Sequence, residues 1–345
     1  MKVSIVITSY NYERYLEAAI DSALAQTYPH TEVVVIDDGS TDGSQDIMRR
    51  YEGRAKLIFK QNGGQGSAFN IAYLHTTGEG VLFLDSDDVL EPNAVAEVVK
   101  VWRPGYSKVH FPLRIVDETG RATGGCVPRA PLPQGSLAAE LLETGMYVSP
   151  PNTGNVFCRR FLDQVLPMPE KEWVYGPDCY LVFLAPFFGE VGAVQQPLGL
   201  YRRHTASVTN ITKATPEGVV EKLLDMLEND RKLRRLLEKF SRDQGLSLAP
   251  EAVTSHWLHL KLRLALRKLG YAIDPSEGAA RLCARMLRSV WSASDLNLRG
   301  RMEFTAWVLL VASLPGKTSM PLIRLAFAPG DRPAVIRTFL GLPAS

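Results

Sequence analysis

Val81-Leu82-Phe83-Leu84-Asp85-Ser86-Asp87-Asp88 sets an unbroken apolar run directly against three carboxylates. A short continuous apolar run bounded by polar residues suits a strand buried on both faces. Three acidic groups within four residues repel one another unless a cation or a solvated loop relieves them. Hard oxygen donors at this density suit Mn2+ or Mg2+, which commonly share coordination between one or two carboxylates and a diphosphate. An EF-hand loop is excluded, since its sixth position would be Leu90 and its twelfth Ala96. The plainer alternative is an acidic turn in which Asp88 caps the next helix.

The same strand-then-polar pattern recurs on the N-terminal side. Residues 3–8 form a β-branched run ending in Thr8-Ser9-Tyr10-Asn11, and residues 32–36 end in Asp37-Asp38-Gly39-Ser40. Residues 55–59 read as a further strand. Between the strands, Tyr15, Leu16, Ala19, Ile20, Ala23 and Leu24 recur at helical spacing, and a helix is expected around 67–74. This alternation predicts an α/β fold with a mostly parallel, twisted sheet flanked by helices. Ligands of such sheets bind beyond the carboxyl ends of the strands, where both acidic clusters fall. An acidic residue there can accept hydrogen bonds from a nucleobase or ribose; the alternative for 37–43 is an Asx-turn into a helix. Asn62-Gly63-Gly64-Gln65-Gly66 is a turn, and neither a Walker A loop nor a G-x-G-x-x-G motif follows the first strand.

Further on, 108–116 reads as one longer strand, 126–135 as a Gly/Pro-rich loop and 136–143 as a short helix. Residues 191–194 and 198–201 read as late strands, and 205–215 as a polar linker. Helical patterns then cover 219–240, 252–269, 279–291 and 302–314. The expected organisation is an α/β domain over 1–215 and a basic all-α domain over 216–345.

The 345 residues are 46% apolar and 22% charged, an ordinary globular composition. The net charge of +2 conceals an asymmetry: residues 231–345 carry 19 Lys and Arg against 8 Asp and Glu, so the front is acidic and the back basic. Cys126, Cys158, Cys179 and Cys283 form no C-x-x-C pair, which argues against a zinc ribbon or a disulfide framework. The first residues lack a signal-peptide pattern and no apolar run approaches the ~20 residues of a membrane span, so a cytoplasmic location is expected.

Taken together and in order, residues 4–11, 34–44, 62–70, 81–88, 154–159, 176–181 and 201–204 resemble the inverting family-2 glycosyltransferases of GT-A fold, over about residues 1–210. The resemblance implies that Thr8, Tyr10, Asp37 and Asp38 hold the nucleotide of a nucleotide-sugar donor, a UDP-sugar being favoured. It implies that Asp85 and Asp87 hold the metal and diphosphate, with Asp88 beside them. The family's base lies in a Glu-Asp pair opening a helix; here the pair is Pro177-Asp178, so Asp178 matches the base and the preceding Glu is missing. Tyr201-Arg202-Arg203-His204 is similar to the family's Tyr-Arg-x-His segment, making Arg202 and His204 candidates at the diphosphate, with His204 a candidate metal contact. The Gln-x-x-Arg-Trp motif of processive members is absent, so one sugar per event is expected. The implied role is glycan or polysaccharide synthesis, with a glycan or lipid-linked hydroxyl as acceptor.

Residues 256–270 interleave leucines with Lys261, Arg263, Arg267 and Lys268. This stretch is either a packed helix with arginine stems along its edges or an interfacial patch for an anionic membrane surface, which would place the protein peripherally at the inner face. His256 and His259 lack a third ligand for zinc. No nucleic-acid-binding module is present. Two other functions remain open from sequence: a nucleotidyltransferase, and a catalytically silent sugar-nucleotide-binding or scaffold module.

Overall fold

In the computed structural model, which describes residues 1–204, 215–271, 273–293 and 296–327, the chain divides into two units. Residues 1–139 and 147–202 form the first; 140–146 and the chain from Arg203 onward form the second.

The first unit is built around β1 (Val3–Ser9), which pairs in parallel with β2 (Thr31–Asp37) on one side and β4 (Gly80–Asp85) on the other. β3 (Lys56–Phe59) extends the sheet beyond β2. Beyond β4 come β9 (Asn155–Cys158), antiparallel to both neighbours, then β6 (Tyr106–His110) and β10 (Glu190–Ala193). The sheet is therefore seven-stranded and mostly parallel, as the alternation predicts. Val3, Ile5, Val6 and Ile7 are all fully buried because helices cover both faces of β1. Each such side chain contributes ~1.5–3 kcal/mol on burial.

Among the helices of this unit, α1 (Glu13–Leu24) buries Leu16, Ala19, Ile20 and Ala23. It is followed by α2 (Ser44–Arg49), α3 (Gln65–Leu74) and α4 (Ala94–Val101). A smaller sheet runs β5 (Val89–Leu90), β11 (Gly199–Arg202), β7 (Leu113–Val116), β8 (Ala122–Val127). The single strand read over 108–116 is thus two strands in two sheets. They part at Phe111-Pro112, since Pro112 has no N–H for a ladder. The loop expected from residue 126 begins inside β8.

The second unit takes α5 (Ala138–Thr144) for most of its length, while α6 (Arg159–Val165) and α7 (Pro177–Leu184) stay with the sheet. Its remaining helices are α8 (Pro216–Asp243), α9 (Trp257–Lys268), α10 (Ala279–Ser292), α11 (Leu298–Ser313) and α12 (Met320–Phe327). Leu260, Leu262, Leu264 and Leu266 of α9 are buried in its core, so the 256–270 stretch is the packed helix of its two readings and offers no open apolar face. Most of the linker read over 205–215 lies outside the described residues. No helix among the described residues is long and apolar enough to cross a membrane.

Candidate active site

The parallel register brings the predicted residues to one edge of the sheet. Thr8 lies opposite Asp85, and Ser9 lies opposite Asp37, so the ends of β1, β2 and β4 are adjacent. The Ser86 hydroxyl donates to the Thr8 carbonyl at 2.5 Å, fastening the turn after β4 to β1. Tyr10, just past β1, is 47% exposed and presents its ring to solvent.

The two aspartates after β2 are used differently. Asp38 is buried and accepts from the Gly63 and Gly64 amides at 3.0 and 2.8 Å and from Lys60. Gly64 is required there: its φ is +85°, and a side chain would meet Val174 at 2.8 Å. Asp37 accepts through Oδ2 from the Gly39 and Ser40 amides and from Gln45, at 3.1, 3.0 and 2.8 Å. Its Oδ1 is buried with no hydrogen-bond partner among the described residues. A buried unsatisfied carboxylate oxygen costs free energy, and a ligand donor would relieve it.

Asp85, Asp87 and Asp88 offer ligand oxygens all within 4.8 Å of one another. Their scaffold is the turn Asn152–Gly154, which leads into β9 and, because β9 is antiparallel to β4, starts beside the end of β4. Asn152 Nδ2 donates to Asp85 Oδ1 at 2.8 Å, and the Thr153 hydroxyl donates to Asp88 Oδ2 at 2.7 Å. Arg202 closes the other side. Its amide donates to Asp88 Oδ1 at 3.0 Å, its Nε to the Asp87 carbonyl at 2.9 Å, and its guanidinium lies 5.0 Å from the Tyr15 ring centre.

Burial first, and the neighbouring Asp87 second, push the Asp85 carboxyl up to about 8, against the Asn152 hydrogen bond. Asp88 is raised for the same two reasons, with the Asp85 charge adding to them. Three hard oxygen donors this close together are a fitting set for a divalent cation, whose charge would relieve the burial and crowding that raise Asp85 and Asp88.

Asp178 stands at the second position of α7. Gly176 (φ +69°) turns the chain and Pro177 pre-sets the first helical residue, so the carboxylate sits among first-turn amides. Burial raises its carboxyl, while the amides and Lys108 pull it down. The Asp178 charge in turn acts on Asp85, so the two lie within one electrostatic field. His204 is buried and belongs to the second unit.

Three participants escaped the sequence reading. Burial first, and then the charges of Asp87, Asp85 and Asp88, push the Tyr12 hydroxyl well up, so it feels the acidic cluster. Its signal was adjacency to Tyr10 and Asn11. Sequence reads 149–155 as a structured loop or a wall of the acceptor pocket, but not the donor roles of Asn152 and Thr153 towards the acid cluster, because their partners are 67 and 65 residues away in sequence.

Residues 4–144 match the family model described as glycosyl transferase family 2. A Nostoc protein named uncharacterized glycosyltransferase alr2836 is 37% identical over 213 residues, which is 60% of this chain and 66% of that protein. An uncharacterized glycosyltransferase of Rickettsia felis is 35% identical over 145 residues, 41% of this chain and 24% of its own length. The chain thus spans about two thirds of the first relative and a quarter of the second. Residues 1–349 of Staphylococcus aureus TarS, solved with UDP-GlcNAc, superpose with a TM-score of 0.50 at 19% identity, covering 100% of this chain and 93% of that one. That likeness is one of fold.

Proposed function

Since residues 4–144 belong to glycosyl transferase family 2, we propose that this chain moves one sugar from a nucleotide-sugar donor, a UDP-sugar by preference, to a hydroxyl acceptor with inversion, in glycan or polysaccharide synthesis. The observation that supports this reading is the acid cluster at the end of β4, where Asp85, Asp87 and Asp88 offer oxygens within 4.8 Å of one another, beside the ends of β1 and β2 that carry Thr8 and Asp37.

In this reading the nucleotide lies across the ends of β1 and β2. Asp37 supplies its unpaired Oδ1 to the base, Asp38 shapes the glycine loop, and Thr8 and Tyr10 line the floor and rim. Asp85 and Asp87 would hold Mn2+ or Mg2+ beside Asp88. Such an ion supplies charge stabilisation to the departing diphosphate. Arg202 fixes the turn that carries Asp87 and Asp88 and adds positive charge next to the same leaving group. Asp178 takes the proton of the acceptor hydroxyl as that oxygen attacks the anomeric carbon from the face opposite the diphosphate. General-base assistance of this kind is worth ~10²–10⁴-fold.

The test is release of nucleoside diphosphate from a panel of nucleotide-sugars with candidate acceptors and Mn2+. Asp178→Asn is expected to lose transfer and keep nucleotide affinity. Binding without turnover by the wild-type chain across the panel would favour the silent module, and full activity of Asp178→Asn would remove Asp178 from the mechanism.

The membrane reading moves, in our proposal, from α9 to α10 and α11. Leu298, Met302 and Leu309 line the outer side of α11 at 65%, 56% and 58% exposure, and Arg281 and Arg288 are exposed on α10. Exposed apolar groups on one helix and exposed basic groups on its neighbour are the two components an anionic lipid surface takes. Salt-sensitive flotation with anionic vesicles, reduced by Leu309→Glu, is the expected outcome; no flotation at low salt would end this reading.

A further inference from the structure

We propose that Asp88 is a positioning residue and not a cation ligand: its carboxylate ties the Thr153 turn to the end of β11, and this tie holds Asp85 and Asp87 in the orientation a divalent ion needs. The proposal rests on the reading of Asp85 and Asp87 as the cation site.

Residues 85–88 close on themselves through one backbone bond, from the Asp88 amide to the Asp85 carbonyl at 3.1 Å. The side chains that fix this turn come from distant parts of the chain. The Thr153 hydroxyl donates to Asp88 Oδ2 at 2.7 Å and accepts from the Asp85 amide at 3.2 Å, so one side chain fastens both ends of the turn. Arg202 holds the later end, its amide on Asp88 Oδ1 at 3.0 Å and its Nε on the Asp87 carbonyl at 2.9 Å. Asp88 joins the two holders, with one carboxylate oxygen for each. The register explains the meeting. β5 starts directly after Asp88 and runs antiparallel to β11 with Leu200 opposite Val89, which returns Arg202 alongside the acids. Thr153 leads into β9 of the seven-stranded sheet, so the carboxylate bridges the large sheet and the small one.

Burial separates Asp88 from its two neighbours. It is 1% exposed, whereas Asp85 and Asp87 are both partly open. Mg2+ keeps several waters and takes substrate phosphates into its shell, so its protein ligands must face open space. A carboxylate closed to solvent, with a protein donor on each oxygen, faces the protein instead. The contrast with Asp37 is instructive: Asp37 Oδ1 is buried without a partner, and Asp88 has no such oxygen. A ligand donor is wanted at the first and not at the second. Removing the Asp88 carboxylate would leave the Thr153 hydroxyl and the Arg202 amide without their acceptor, and the turn that aims Asp85 and Asp87 would lose its common anchor.

Mn2+ alone is the probe, titrated into the protein and followed by the electron paramagnetic resonance signal of the free ion. Asp87→Asn and Asp88→Asn remove the same charge from the same cluster, so the difference between them reads ligation. Asp88→Asn keeps the tie, because its amide oxygen accepts from the Arg202 amide and its Nδ2 donates to the Thr153 hydroxyl. It should bind Mn2+ about tenfold or more tighter than Asp87→Asn. Thr153→Val changes no charge and removes both bonds of the hydroxyl. Affinity should fall ~10–100-fold, the range for partners that orient a ligand, and Thr153→Ser should restore it to within about threefold of wild type. Binding by Asp88→Asn as weak as that of Asp87→Asn, or a folded Thr153→Val that binds like wild type, overturns the proposal. Absence of Mn2+ binding by wild type, or equal binding by Asp87→Asn, removes the cation reading instead. Metal-free urea unfolding then judges the tie by itself: Thr153→Val should shift the midpoint less in an Asp88→Ala background than in wild type, and additive shifts overturn the tie.

Discussion

Asn152 Nδ2 donates to Asp85 Oδ1 at 2.8 Å across 67 residues of sequence, so the acid cluster after β4 is aimed by a turn that precedes β9. A donor on one carboxylate oxygen fixes its rotation and offsets part of its burial. Asn152→Ala should therefore weaken Mn2+ binding by ~10–100-fold, the usual range for a residue that orients a ligand. Calorimetric titration checks this, and an affinity within twofold of wild type would show that Asp85 needs no orientation.

Cation binding should itself depend on pH. With the Asp85 carboxyl near 8, the ion-free cluster retains a proton at neutral pH that a bound cation must displace. Affinity is expected to rise by up to about tenfold per pH unit below about 8 and to level off above it. Proton release, read as a dependence of the binding heat on the buffer's ionisation enthalpy, is the direct measurement.

Glu32 contributes an acid-sensitive part of the stability of the first unit. Burial raises its carboxyl, but hydrogen bonds from Lys2, Ser4 and Thr77 outweigh burial and bring it down to about 2. A lowered carboxyl stabilises the fold above the unfolded value of 4.5, and this contribution disappears as pH falls from about 4.5 through about 2. Glu32→Gln should cost about 2 kcal/mol at pH 7, allowing for its partial exposure, and little near pH 2. Urea unfolding at the two pH values tests the difference.

Lys261 works the other way in the second unit. It is buried over the Phe327, Trp257 and Phe304 rings at 4.1, 5.5 and 5.7 Å, and burial lowers it to about 8 against the pull of Asp230. Between about 8 and the ordinary 10.5 the unfolded chain binds more protons than the folded one, so stability should rise with pH across that window. Below about 8 the cost is constant. Lys261→Met should stabilise the unit by ~1–3 kcal/mol at pH 7 and abolish the slope, as seen by thermal unfolding at pH 7 and 10.

The sequence alone determined the sheet edge. Apolar runs ending in Thr8, Asp37 and Asp85 name both the strands and their carboxyl ends, since strand burial and chain polarity are local properties written in consecutive residues. The helical pattern of the basic back was equally legible, although whether α9 turned an apolar face outward was not: its leucines surround the helix, and burial depends on neighbours. Tertiary structure decided what each acid does. Asp37 and Asp38 are alike in sequence, yet one keeps an unpaired oxygen and the other is consumed by the glycine loop. Asp85 acquires its donor Asn152 only when strands distant in sequence pair in register. Charge interactions depend on distance and burial in space, and neither quantity exists until the chain has folded.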